Sequence, residues 1–150
     1  PASLARQRRQ ATYLDALGGV DGLEVIYGAY QLRDVACRAC GHAWRTGEEK
    51  KTDVNIATDM VMDGVDGLYD RAVLVSADSD LAPPVSMIAT RLPGRSVAVA
   101  FPPGRGSRDL TAASGGRVFH INEAMVRRSQ FPRETVTSAG HVVTRPVEWR

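Results

Sequence analysis

The sequence predicts a three-layer α/β domain with a central, mainly parallel sheet. Short apolar runs rich in β-branched residues alternate with stretches whose apolar residues recur at helical spacing. Gly and Pro residues separate the runs, and no internal repeat or low-complexity tract interrupts them. Strands that alternate with helices form βα units, in which the strands lie parallel and the helices cover the sheet.

The first third of the chain is predicted to hold two helices and one strand. Residues 4–17 are rich in Arg, Gln and Ala, and the glycine pair after them ends a helix. Residues 23–27 lie between two glycines and are a strand candidate. Residues 29–50 are irregular or a hairpin. A helix follows from about 53 to 62, with Thr52 as its expected cap.

The regular alternation continues to about residue 128. Residues 72–76 form an apolar strand, and a helix over roughly 81–92 tolerates Pro83 in its first turn. Residues 96–101 form another apolar strand. The next expected elements are a loop over 102–107, a helix over 108–113, a strand over 117–121 and a helix over 123–128. Residues 132–150 have little periodicity and are expected to be an irregular tail.

Composition indicates a single globular domain over residues 1–150. Hydrophobic residues make up 43% and charged residues 24%, which is ordinary for a globular chain, and the net charge of +2 says little about partners. Lys50 and Lys51 are the only lysines among 19 basic residues. Arginine suits phosphate contact, although a GC-rich genome produces the same bias.

The sequence gives no sign of membrane insertion or secretion. No apolar run approaches the length of a membrane span, and no signal peptide is visible. Two cysteines do not make a secreted disulfide framework. We therefore expect a cytoplasmic protein with no membrane partner.

Three carboxylates are the strongest chemical signal. Asp78 and Asp80 directly follow the strand over 72–76, and Asp53 opens a helix. Ligands collect at the carboxyl ends of parallel strands, and a helix start can share that edge. Clustered carboxylates bind hard cations such as Mg²⁺ or Mn²⁺. The alternative is that Asp78 and Asp80 only cap the next helix.

Polar and basic residues near these acids are candidate phosphate contacts. Lys50 or Lys51 could contact phosphate or neutralise the acids, and Asn55 could hydrogen-bond a water or a phosphate oxygen. Arg105 and Arg108 follow the next strand and could grip a phosphate backbone. The glycines around Arg105 lack the Gly-Lys-Ser/Thr ending of nucleotide-hydrolase loops. The alternatives are a solvated charged loop and a flexible surface loop.

Cys37 and Cys40 form a Cys-x-x-Cys pair followed by glycine, which looks like half of a zinc knuckle. A structural Zn²⁺ takes four ligands, so His42, His120, His141 or another chain would have to complete the site. Two reduced cysteines in a loop are the favoured interpretation, and a redox role lacks a thioredoxin-like context.

Two motifs resemble the NYN domain, the bacterial LabA-like branch of the PIN-like ribonuclease superfamily. One is Glu48–Ala57, and the other is Val73–Leu81, preceded by Tyr69 and Asp70. Supporting matches are Arg6–Arg8, Tyr13–Leu17, Phe101–Pro103, Arg145–Pro146 and Trp149. The resemblance covers nearly the whole chain, and it rests on the two motifs together.

The resemblance implies a PIN-like three-layer fold and a Mg²⁺- or Mn²⁺-dependent ribonuclease that hydrolyses RNA through a metal-activated water. It matches Asp53 with the acid at the helix start, Asp78 and Asp80 with the pair after the strand, and Ser76 with the small hydroxyl residue before that pair. The implied partner is RNA, with single strands favoured, and the chain could form a homo-oligomer. The alternative is a non-catalytic RNA-binding or regulatory module with a degenerate acidic site.

The resemblance also implies a first strand that ends in an Asp-Gly-x-Asn-like motif and supplies the first metal-binding acid. No such motif occurs in this sequence. We therefore expect that an N-terminal βα unit is missing, of roughly 50–70 residues judged by the size of such units. Its absence should leave apolar edges exposed on the neighbouring strands.

Overall fold

The structure is a computed structural model that describes residues 2–149, in two compact units. One unit contains the chain up to Ile26 together with the segment from Val126 onward, and the other contains Tyr27–Met125. The helices are α1 (Ala2–Leu17), α2 (Thr52–Val65), α3 (Ala82–Arg91), α4 (Arg108–Ala113) and α5 (Glu123–Arg128). The strands are β1 (Ala29–Ala36), β2 (Ala43–Lys50), β3 (Arg71–Val75), β4 (Ser96–Phe101), β5 (Val118–His120), β6 (Glu134–Val136) and β7 (Val142–Thr144).

The unit formed by Tyr27–Met125 is built on a parallel sheet of order β3-β4-β5. Leu74 pairs with Val99, and Phe101 pairs with His120. The core residues are Met60, Leu74, Leu81, Val85, Ile88, Val97, Val99, Phe101 and Leu110. Side chains alternate between the two faces of a strand. In β4 every second residue belongs to the core, namely Val97, Val99 and Phe101, so these side chains point to one face of the sheet. The helices α2, α3 and α4 therefore cover the same face of the sheet.

The opposite face of this sheet exposes apolar side chains at β3. Val73 is 55% exposed and Val75 is 59% exposed. Among the described strands β3 pairs with β4 alone, so it lies at an edge. The expectation of exposed strand edges rests on a missing N-terminal unit and stays a prediction. The α/β class and the parallel sheet are confirmed, whereas the third layer of a PIN-like arrangement stays a prediction, because the helices of this core lie on one sheet face.

Residues 29–50 form an antiparallel hairpin, the second of the two predicted alternatives. All residues of β1 and β2 are exposed or partly exposed. The strand predicted at residues 23–27 is wrong, because this segment has no regular structure. Ile26 and Tyr27 are exposed there, and none of the described strands pairs with the segment. β-propensity alone does not hold a strand without packing and pairing.

Helix α2 begins differently from the prediction. Thr52 is its first residue, and Lys51 before it adopts a left-handed conformation with φ 77° and no side-chain capping bond. The carboxylate of Glu49 accepts hydrogen bonds from the Thr52 N–H (3.2 Å) and from the Thr52 hydroxyl. The prediction that Thr52 is the cap is therefore wrong, since Glu49 satisfies a free N–H of the first turn instead. The helix also continues to Val65, beyond the predicted end.

The other unit contains α1 and the hairpin of β6 and β7. The ring of Tyr13 makes edge contacts with Phe131 (6.0 Å between centroids) and Trp149 (5.9 Å). The two short strands lie in the segment that was expected to be irregular. The side chain of Arg6, one of the supporting matches, lies outside the described residues. Across residues 2–149, no helix has both the length and the apolar character needed to cross a membrane.

Candidate functional site

The turn after β3 presents two carboxylates through a chain of local contacts. The Ser76 hydroxyl oxygen accepts a hydrogen bond of 3.0 Å from the Asp78 N–H. The Asp78 carboxylate accepts one of 3.0 Å from the Asp80 N–H, which starts a single 3-10 turn at Ser79–Leu81. Leu81 is 1% exposed and anchors this turn in the core. The turn continues directly into α3, so Asp78 and Asp80 are fixed at the carboxyl end of β3.

The capping role that the sequence left open is present for Asp78. Its hydrogen bond engages one carboxylate oxygen, and a carboxylate has further acceptor capacity on both oxygens. Asp78 and Asp80 are both exposed, so water can solvate their charges. The turn therefore contains no buried charge that a cation would have to neutralise. Capping and cation binding by Asp78 are compatible.

Asp53 lies in the first turn of α2 and is exposed. Both α2 and α4 pack against the Ser79–Leu81 turn, so the elements that carry the candidate residues meet. However, within residues 2–149 no three or more His, Cys, Asp or Glu side chains are grouped so that they could hold a metal ion. The structure thus brings Asp78 and Asp80 together on one turn, and it does not join Asp53 to them as a third ligand.

The donor chemistry of this turn suits Mg²⁺ in part. Mg²⁺ prefers oxygen ligands, keeps several waters, and is commonly held by one or two carboxylates together with substrate phosphates. Asp78 and Asp80 can supply that number of carboxylates. A dedicated cage of three acids is not present in the described part of the chain.

The other candidates on the approach to α2 are held in different ways. Lys50 Nζ lies 2.9 Å from Glu48 Oε1, and this hydrogen bond and charge lower the pKa of Glu48. Lys51 is exposed, and Asn55 Nδ2 makes a long contact of 3.5 Å with the Tyr27 carbonyl oxygen. The role of Glu49 was missed, although a carboxylate three residues before a helix start is a signal that could have indicated it.

Arg105 and Arg108 lie beyond the carboxyl end of β4. The Arg105 N–H donates a hydrogen bond of 3.0 Å to the Pro102 carbonyl oxygen, which closes a turn. Ser107 caps α4 by accepting from the Leu110 N–H at 3.3 Å, and Arg108 is the first residue of α4. Because β3 and β4 are parallel neighbours, these arginines follow the same sheet edge as Asp78. Both arginines are exposed and can reach a ligand from solvent.

The two cysteines lie at the tip of the β1–β2 hairpin as free thiols, Cys37 partly exposed and Cys40 exposed. In the part of the chain that the structure describes, no third ligand joins them. The described residues therefore form neither a four-ligand zinc site nor a disulfide.

Comparison with known proteins identifies the family. The model of the NYN domain matches residues 8–121. The chain belongs to the NYN domain family. This family is generally nuclease-like, and the predicted PIN-like affiliation is consistent with it. The match spans the Glu48–Ala57 and Val73–Leu81 motifs that carried the resemblance.

A curated relative is the 6-hydroxy-3-succinoylpyridine 3-monooxygenase HspA of Pseudomonas putida. It is 31% identical to this NYN chain over 148 residues, which cover 87% of this chain and 47% of the relative. The chain therefore spans about half the length of the curated relative that it matches. No solved structure matches the chain.

Proposed function

We propose that this NYN chain contributes the acidic site of a metal-dependent ribonuclease that hydrolyses phosphodiester bonds in single-stranded RNA in the cytoplasm. The observation that carries the proposal is the turn after β3, which holds Asp78 and Asp80 exposed at the carboxyl end of a parallel strand. Membership of a nuclease-like family supports the same chemistry. Ligands of open parallel sheets bind at this edge, where both acids are open to solvent.

In this proposal, Asp78 and Asp80 hold Mg²⁺ or Mn²⁺ through carboxylate oxygens. Asp53, at the start of α2, is not part of this direct ligand set, because within the described residues it does not group with the two acids. Such an ion supplies a water of lowered pKa and offsets the charge of the scissile phosphate. Ser76 positions Asp78 through the hydrogen bond to its N–H.

The basic and polar side chains bind the RNA backbone. Arg105 and Arg108 contact phosphates beside the turn, since guanidinium groups bind phosphate oxygens in a bidentate manner. Lys51 and Asn55 contact the backbone from the start of α2. Contacts of this kind position the RNA without selecting its sequence.

Cleavage of an end-labelled single-stranded RNA, with Mn²⁺ and with chelator, tests the proposal. The Asp78→Asn variant should lower the cleavage rate by roughly 100-fold or more. Losing a residue that only supports a metal ligand already costs up to about 100-fold, and Asp78 is proposed as a ligand itself. Asp66→Asn is the matched control, because Asp66 is an exposed acid at the far end of α2 from Asp53. It should cleave at the wild-type rate. Equal rates for Asp78→Asn and wild type would refute the assignment.

The second candidate is a non-catalytic RNA-binding or regulatory module. It is favoured by one observation: within residues 2–149, no third acid groups with Asp78 and Asp80. RNA retention that is insensitive to chelator, with no cleavage in Mg²⁺ or Mn²⁺, would select this candidate. Chelator-sensitive cleavage would select the ribonuclease.

The monooxygenase activity in the relative's name belongs to a protein of which this chain spans only 47%. We therefore do not extend that activity to this chain.

A further inference from the structure

The last residue of β5 is an exposed histidine at the sheet edge that carries the two candidate acids. Val75 at the end of β3 pairs with Ala100, and Phe101 at the end of β4 pairs with His120. The three strands therefore end nearly level, and His120 lies two strand spacings, or about 10 Å, from the end of β3. Within the described residues, His120 belongs to no group of three or more potential metal ligands. The proposed cation chemistry therefore gives this side chain no role.

The ring of His120 is held in place by a core residue. Its centroid lies 5.3 Å from that of the Phe101 ring, with the planes inclined by 41°, within the range of about 4.5–7 Å at which aromatic rings attract each other. Phe101 is 2% exposed, so the core fixes its position. The Ile121 N–H donates a hydrogen bond of 2.8 Å to the Phe101 carbonyl oxygen, which ties the end of β5 to β4. His120 is therefore an ordered aromatic ring that is still open to solvent.

His120 points to the face of the sheet that the helices cover. Its partner Phe101 belongs to the core on that face, and paired residues of neighbouring strands point the same way. The Ser79–Leu81 turn and α4 lie on this face as well, because Leu81 and Leu110 are residues of the same core. The histidine ring is therefore on the same side of the sheet as the acidic turn.

Two exposed arginines lie between His120 and that turn. β4 is the middle strand, and the turn in which the Arg105 N–H bonds to the Pro102 carbonyl oxygen follows it directly. Arg108 begins α4, which contacts the Ser79–Leu81 turn. A nucleic acid strand whose phosphates bind these guanidinium groups extends from the acidic turn towards His120.

We propose that His120 binds one nucleobase of the single-stranded RNA by stacking, to one side of the phosphate that the acidic turn holds. Proteins hold unpaired bases on aromatic side chains, including histidine. Every base has a π-face, so a contact of this kind accepts any base. The inference rests on the proposed function, which places RNA at this edge. It adds a contact to a base, whereas the other proposed contacts are to phosphates.

Phe119 provides a matched comparison in the same strand. It is 43% exposed, and because side chains alternate along a strand it points to the opposite face of the sheet from His120. The acidic turn and α4 lie on the face of His120, so we expect RNA to contact His120 and not Phe119. Both residues are exposed aromatic rings near the end of β5, which makes Phe119→Ala a control for the loss of such a ring.

The test measures binding of the full chain to a dye-labelled single-stranded RNA by fluorescence anisotropy. Chelator is present to prevent cleavage, because neither arginine contacts nor a base stack need a cation. His120→Ala should weaken binding by roughly 5- to 100-fold, which corresponds to the loss of one base stack. His120→Phe should restore most of the affinity, and Phe119→Ala should bind as tightly as wild type.

A series of RNAs with one abasic nucleotide at successive positions separates stacking from a structural role of His120. At the stacked position, the missing base should weaken binding to wild type, and it should cause little further loss in His120→Ala. This non-additivity is the signature of a direct contact between the ring and that base. Additive losses at every position would overturn the stack, because the substitution would then act through the fold alone.

Three further results would overturn the inference: no binding of the RNA to wild type, no rescue by His120→Phe, or a salt dependence of binding that becomes shallower in His120→Ala. A slope of log K against log salt that changes by about 0.7 is the mark of a phosphate contact. Coupling to one base without cleavage in Mn²⁺ would support the stack and refute the ribonuclease. Chelator-sensitive cleavage without such coupling would do the reverse.

Discussion

The Asp78 carboxylate accepts a hydrogen bond of 3.0 Å from the N–H of Asp80, so one proposed metal ligand caps the turn that positions the other. Removing the Asp78 side chain therefore affects both the cap and the charge. The cap requires only an oxygen acceptor, whereas cation binding requires a carboxylate. Substitutions that separate these two properties can separate folding from function.

We expect Asp78→Asn to keep stability and lose cleavage, because the asparagine side-chain oxygen still accepts from the Asp80 N–H. Asp78→Ala should lose cleavage and also lower the free energy of unfolding by about 1 kcal/mol, the typical value of an N-cap. Urea unfolding and RNA cleavage measure the two effects. An Asn variant as unstable as the Ala variant would contradict the capping role.

Lys51→Gly should stabilise the protein. A non-glycine residue at φ 77° lowers the free energy of unfolding by about 1–2 kcal/mol. Glycine removes this strain, but its greater freedom in the unfolded chain cancels roughly 0.4–1 kcal/mol of the gain. We expect a net gain of about 0.5–1 kcal/mol in urea unfolding. Lys51→Ala keeps the strain and should show no such gain. Because both variants lose the charge, both should bind RNA more weakly if Lys51 contacts phosphate.

Gly64→Ala should destabilise the protein although alanine favours helices. A Cβ at Gly64 would lie 2.7 Å from the Tyr69 hydroxyl oxygen and 3.0 Å from Leu92 Cδ1. Overpacking of this kind costs about 1–3 kcal/mol, which outweighs the gain of up to about 1 kcal/mol in helix propensity. Thermal unfolding measures the loss. In a Tyr69→Phe background the clash with the hydroxyl is absent, so the loss should be smaller.

The elements of the parallel-sheet core could be predicted because local pattern and packing agree there. The strand predicted at 96–101 is β4, and the residues predicted as a helix at 108–113 are α4. In β4, Val97, Val99 and Phe101 face the helices, and this alternation is visible in the sequence. Residues 23–27 have the same strand-like composition, but they pair with none of the described strands, which the sequence could not reveal.

The candidate site could be predicted only in part. Asp78 and Asp80 are adjacent in sequence, so a single turn after β3 places them together. Their relation to Asp53 depends on how α2 packs beside that turn, which is a property of the three-dimensional arrangement. The spacing of these three residues along the chain gave no information on whether Asp53 would join the pair.

Stability should fall at alkaline pH through Tyr69. Burial raises the pKa of Tyr69 above its ordinary value of 10.0, and the charge of Asp63 raises it further. The hydroxyl donates a hydrogen bond of 2.6 Å to the Met60 carbonyl oxygen, which ionisation would break. Because the folded state holds this proton more tightly, its contribution is complete below pH 10 and is lost as pH rises through the folded-state pKa.

Urea midpoints between about pH 9 and 11 should therefore decline in wild type and decline less in Tyr69→Phe. The Phe variant should also be less stable at neutral pH, by about 1 kcal/mol for the lost hydrogen bond. Tyr30→Phe, which removes the hydroxyl of an exposed tyrosine, should decline in parallel with wild type. Equal slopes for Tyr69→Phe and wild type would exclude Tyr69 as the cause.

Arg105→Gln and Arg108→Gln should each reduce the salt dependence of RNA binding. Each phosphate contact to a single strand contributes about −0.7 to the slope of log K against log salt, so each variant should make that slope shallower by this amount. Arg71→Gln is the control, since Arg71 is an exposed residue at the opposite end of β3 and should leave the slope unchanged. Arg108 begins α4, where a positive charge opposes the helix dipole, so glutamine there should not destabilise the fold. A weaker affinity of the Arg108 variant with an unchanged slope would therefore point away from phosphate contact.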